Sequence, residues 1–94
     1  MIGTELKDFG LLISNKELKL VHVDLKAGHS IAPHDHKGQD VFFTLIRGSV
    51  TVSLDGEKHQ LTPGTVLNFA GEHFVGIEAR EDSEFFVYLI NRQG

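Results

Sequence analysis

The chain has 94 residues, 40% of them hydrophobic, with a net charge of −4 and no cysteine. Its length sets a limit of one domain over residues 1–94, able to fold alone but on a thin margin. The nine Lys and Arg form no basic stripe that would mark nucleic acid as a partner, no apolar run approaches the ~20 residues that span a bilayer, and the lack of cysteine and of a leader-like N-terminus fits a cytoplasmic protein.

Short apolar segments separated by turn residues predict an all-β chain. Leu11 to Ile13 and Leu18 to Leu25 are the first expected strands, joined by the polar turn Ser14 to Glu17. In the second, Val21, Val23 and Leu25 alternate with His22 and Asp24, the signature of a strand with one buried face. Gly28 and His29 then turn the chain into Ser30 to His36.

Val41 to Ile46 is apolar on both faces apart from Thr44, so both faces need cover. Ser49 to Leu54 alternates cleanly, Asp55-Gly56 is a tight hairpin signal, and Glu57 to Leu61 is its return strand. Thr62-Pro63-Gly64 makes a second turn. Thr65 to Phe69, Phe74 to Ala79 and Phe85 to Asn91 complete eight or nine strands. That many short strands in so small a domain predict a closed barrel or a double-sheet jelly roll, which also removes exposed sheet edges.

The chemistry-bearing feature is His34-x-His36, within the run AGHSIAPHDH. Residues two apart on a strand share a face, so the two imidazoles stand side by side, as a divalent metal requires of adjacent ligands. His22, His29 and His59 have no such spacing and read as structural or surface residues. No nucleophile elbow or phosphate loop is present. Alternation makes Thr44, Asn68, Glu72 and Tyr88 candidate polar groups of a cavity, and Val41, Phe43, Phe69, Phe74, Val75 and Phe86 its apolar lining.

The order of these features resembles the cupin superfamily, small jelly-roll barrels (double-stranded β-helices) that hold a metal or ligand in their mouth. Gly28, HSIAP, His34-Asp35-His36 and Gly48 match the first cupin motif, and Gly64 with TVLNF matches the start of the second. The resemblance runs from about Lys26 to Ile90. It implies a divalent metal (Zn, Ni, Fe, Mn or Cu), a small organic ligand in the barrel, and pairing of two copies through sheet faces.

Two expected ligands are replaced. Six residues before Gly48, where the family has Glu, this chain has Val41, and the neighbouring carboxylate is Asp40. Gln39 is a neutral alternative. Before Gly76, where related small cupins have His, it has Val75, and the nearest histidine is His73, about 6–7 Å earlier along an extended strand. The expected metal set is therefore His34, His36, His73 and Asp40. Without a Glu ligand it tilts away from iron and oxygen chemistry toward Zn, Ni or Cu. The competing expectation is a ligand-binding, sensing or structural barrel without metal.

Overall fold

The computed structural model describes residues 2–92. Nine strands follow in order: β1 (Gly10–Ser14), β2 (Leu18–Leu25), β3 (Ser30–His34), β4 (Gln39–Arg47), β5 (Val50–Leu54), β6 (Glu57–Leu61), β7 (Val66–Ala70), β8 (Val75–Ala79) and β9 (Ser83–Asn91). They form two antiparallel sheets, β1-β2-β9-β4-β7 and β3-β8-β5-β6. This is the expected all-β jelly roll, with no helix long and apolar enough to cross a membrane among the described residues.

The sheets face each other through the residues that alternation selects. Val41, Phe43 and Leu45 of β4 and Phe85 and Leu89 of β9 pack against Val50, Val52, Val75, Ile77 and Ala79 of the second sheet. The Phe43 and Phe85 rings stack with centroids 4.4 Å apart. Each such aromatic contributes roughly 1.5–3 kcal/mol through burial. The intervening residues Phe42, Ile46 and Tyr88 face outward and remain exposed, as does Val66 of β7. The two-sided apolar character of β4 is thus real, and among the described residues only one side is covered.

Two local devices fix the end of the barrel where β3 and β7 finish and β4 and β8 begin. At the hairpin between β5 and β6, Asp55 (φ 51°) and Gly56 (φ 89°) both adopt left-handed backbone, the combination of a two-residue type I′ turn. The second device is a bulge in β3. Ile31 pairs with Ile77 and His34 with Val75, so three steps on β3 match two on β8. The extra residue falls at Ala32-Pro33, both of which line the outer side of the sheet. β3 is an edge strand, where a proline is tolerated because its missing N–H breaks no ladder. Gly76 makes room for the proline ring, since a Cβ there would stand 3.3 Å from Pro33 Cγ.

Candidate functional site

The bulge decides which way His34 points. Ile31 lines the barrel interior, so in a regular strand His34 would face solvent. One inserted residue reverses the parity, and His34 and His36 both line the interior with Ile31. The two imidazoles lie side by side as expected, although β3 ends at His34 rather than His36, and the bulge sets only the inward face of His34.

The cavity they line measures about 240 Å³. Its other walls are Val21 and Val23 of β2, Val41 and Phe43 of β4, Phe69 of β7, Val75 and Ile77 of β8, and Phe85, Val87 and Leu89 of β9. Every wall residue other than the two histidines is aliphatic or aromatic. Polar chemistry in this space belongs to two imidazoles whose centroids lie 4.7 Å apart, edge to face.

The surrounding backbone holds both rings. His34 Nδ1 lies 2.9 Å from the Ala32 carbonyl oxygen. A carbonyl only accepts, so Nδ1 is the donor, and in the neutral ring Nε2 keeps its lone pair. The His36 backbone N–H donates to the Gly71 carbonyl at 2.7 Å, and Gly71 N–H donates to Gln39 at 2.7 Å. Gly71 has no room for a side chain, because a Cβ would overlap the His36 carbonyl. The turn between β7 and β8 thereby presses on the His36 turn and fixes it. Burial lowers the His36 pKa below its usual 6.5, and neighbouring His34 lowers it further, so His36 is neutral at neutral pH.

The other two expected metal ligands do not join this pair. Asp40 precedes the inward-facing Val41, and its carboxylate pairs with Arg92 at 3.1 Å. Gln39 donates from its side chain to Asn91 at 2.8 Å. His73 lies in the turn before β8 rather than on the strand, so strand parity does not govern it. Its Nδ1 sits 2.6 Å from Asp55 Oδ2, and the pair lines a separate shallow depression on the same rim. Asp55 also accepts the Phe74 N–H at 2.9 Å. The His73 bond first, and then that backbone bond, pulls the Asp55 pKa below its usual value.

Val41 and Val75, which stand at the family's Glu and His positions, both line the cavity beside the histidines. Where that pattern has two further metal donors, this chain presents aliphatic side chains. Among the described residues no group of three or more His, Cys, Asp or Glu could hold a metal ion. Catalytic zinc sites take three protein ligands and structural ones four. The residues present therefore do not fit a resident metal, and they offer at most a two-point hold.

Of the other expected cavity groups, Asn68 donates to the Val41 carbonyl at 3.0 Å. Glu72 pairs with Arg92. Its carboxyl is drawn down to about 2 by that guanidinium and by the Gly38 N–H. Tyr88 lies on the outer face, and Thr44 pairs there with Phe86 and Val66. Phe74 is about half exposed, and Phe86 stacks on His22 outside the barrel with centroids 4.3 Å apart. Val21, Val23, Ile31, Ile77, Phe85, Val87 and Leu89 also line the cavity, beyond the residues that the sequence singles out. In β9 both faces are apolar, so alternation carries no direction there. In β2 it was legible, because Val21 and Val23 already alternate with His22 and Asp24.

Two opposed antiparallel sheets closed around an apolar cavity, with a His-x-His at the mouth, define a cupin-type barrel. The family model described as "Cupin domain" matches residues 21–89. The chain belongs to that family. Among solved structures it is similar to KdgF from Halomonas sp., with 27% identity, 88% of this chain and 78% of that chain covered, and a TM-score of 0.78. An RmlC-like cupin with a double-stranded β-helix fold from Methanocaldococcus jannaschii shares 23% identity over 97% of this chain and 93% of that one, TM-score 0.80. A salicylate 1,2-dioxygenase variant from Pseudoaminobacter salicylatoxidans is 19% identical over 79% of this chain and 22% of that one, TM-score 0.74. These last two show the shared fold. No curated protein matches.

Proposed function

We propose that this cupin binds a small organic molecule inside the barrel, with its polar end against His34 and His36 and its body against the valines and phenylalanines. The observation that carries this reading is a cavity of about 240 Å³ whose polar lining is confined to those two imidazoles. Apolar walls with a few convergent polar groups are the general form of a small-molecule site. The test is a fragment screen by saturation-transfer NMR on the wild-type protein and on Val75→Phe, which fills the mouth. Fragments that bind the wild type and are released by Val75→Phe support the reading. A screen in which nothing binds, or in which Val75→Phe binds the same fragments equally well, removes it.

Weak, exchangeable uptake of a divalent ion, rather than a resident metal, is a second reading, resting on the free Nε2 of His34. His34 and His36 would hold the ion by two nitrogens, with its remaining positions left to solvent or ligand. Zn, Ni and Cu suit imidazole better than Mn does. Isothermal titration with Zn²⁺ tests it: uptake that vanishes in His34→Ala supports the site, and no uptake rejects it.

The outer face of the first sheet supports pairing of two copies. Phe42, Ile46, Val66 and Tyr88 are large, apolar or aromatic, and exposed there. The partner implied is a second copy of this chain, covering the face that β4 and β9 leave open. A monomeric mass by light scattering at micromolar concentration would reject the dimer.

A further inference from the structure

Because His34 Nδ1 is committed to the Ala32 carbonyl at 2.9 Å, Nε2 is a hydrogen-bond acceptor that can receive but not give a proton in that state. No protein donor within the described residues reaches it, and no hydrogen bond links the two imidazoles. A ligand that fills the cavity and strips water from Nε2 must supply the missing donor, or leave a buried acceptor unsatisfied.

The cavity constrains the rest of the molecule. No Lys, Arg, Asp or Glu lines it, so a carboxylate or ammonium drawn inside would lose its hydration without a counter-charge. The wall includes Phe43, Phe69 and Phe85, an apolar lining suited to a flat apolar body. At roughly 30 Å³ for each water-sized group, about 240 Å³ holds a body of about eight such groups.

We propose that the ligand of this cavity is a neutral hydroxyl compound with a compact apolar body, a phenol or an enol, whose O–H donates to His34 Nε2. This rests on the reading of the barrel as a small-molecule site and adds the chemical class. It separates three otherwise similar probes. In p-cresol the hydroxyl is a donor, in 4-methylanisole the same oxygen is methylated and only accepts, and in p-toluate the head group is an anion.

The experiment is a titration of wild-type protein with each probe and with toluene, followed by amide chemical shifts at Val41, Phe69 and Val75. The expected result is binding of p-cresol at least about tenfold tighter than 4-methylanisole or p-toluate, the cost of burying one acceptor unpaired. In His34→Ala, with the fold checked by the same spectra, p-cresol and 4-methylanisole become equal. Equal binding of p-cresol and its methyl ether to the wild type overturns the proposal, as does preferred binding of p-toluate. Toluene binding without p-cresol preference overturns the ligand class while leaving the cavity as a binding site. Failure of all four probes, toluene included, overturns both.

Discussion

Two histidine regions lie on opposite sides of the barrel wall and differ in one respect. Outside, His22 is 5% exposed and sandwiched between Phe9 and Phe86, with centroids 4.4 and 4.3 Å away. Both of its ring nitrogens have protein partners, Nδ1 at 3.0 Å from the Asp8 carbonyl and Nε2 at 2.6 Å from Glu84. Inside, His34 has one nitrogen committed and one free, in a cavity with no other polar wall than its neighbour His36. A saturated histidine is part of the scaffold and ties residues 8 and 9 to the sheet. A half-satisfied one facing an apolar space is available to a ligand.

The largest expected effect lies in the wall between the two regions. Phe85→Ala removes a fully buried ring that stacks on Phe43, and should cost about 3–5 kcal/mol in urea unfolding. A loss below about 1 kcal/mol would mean that the interior is not packed as described. Next comes the contrast itself. His22→Ala loses two hydrogen bonds and two aromatic contacts, and should cost roughly 2–3 kcal/mol. His34→Ala should cost under about 1 kcal/mol, since the ring is only half-satisfied where it stands and functional groups are commonly neutral or costly to stability. Equal losses in the two variants would break the distinction.

A third variant sharpens what the inner pair lacks. Val41→Glu combined with Val75→His places donors at the two inward valines. It should tighten Zn²⁺ binding by more than about tenfold over the wild type, as the ligand count rises toward that of a closed site. Unchanged affinity would show that these positions do not converge with His34 and His36.

The smallest effect is in acid. Glu72 falls from 4.5 to about 2 through Arg92 and the Gly38 N–H, and Asp55 is lowered through His73. Both carboxyls titrate lower folded than unfolded. Their contribution is fully present above the unfolded values and is lost as pH falls, for Glu72 between about 4.5 and about 2. Both are exposed, so the decline should be shallow. Arg92→Ala should flatten it, and chemical denaturation at pH 5 and pH 3 measures the difference.

Much of the scaffold was legible because the physics was local. The spans of β2 and β6 follow directly from alternation and from Asp55-Gly56, whose backbone only a turn accommodates cheaply. His34 and His36 stand together as their spacing suggests, but β3 ends at His34 and the turn at Gly71 holds His36. The failures have longer reach. His73 was expected to obey strand parity, but it sits in a turn and bonds Asp55, 18 residues away. Asp40 is claimed by Arg92, 52 residues on. In β9, Phe85 and Phe86 are both apolar, and only packing decides that Phe85 faces in. The bulge at Ala32-Pro33 had a partial signal, a proline just ahead of His34, but the register that it shifts belongs to β8.

Ligand recognition in this cavity depends on which nitrogen of His34 carries the proton. Long-range ¹⁵N–¹H correlation of the histidine side chains at pH 7.5 reads it without any ligand. The structure predicts that His34 carries its proton on Nδ1, with Nε2 bare and shifting when p-cresol is added. A proton on Nε2, or an Nε2 that does not respond to any cavity ligand, would contradict it.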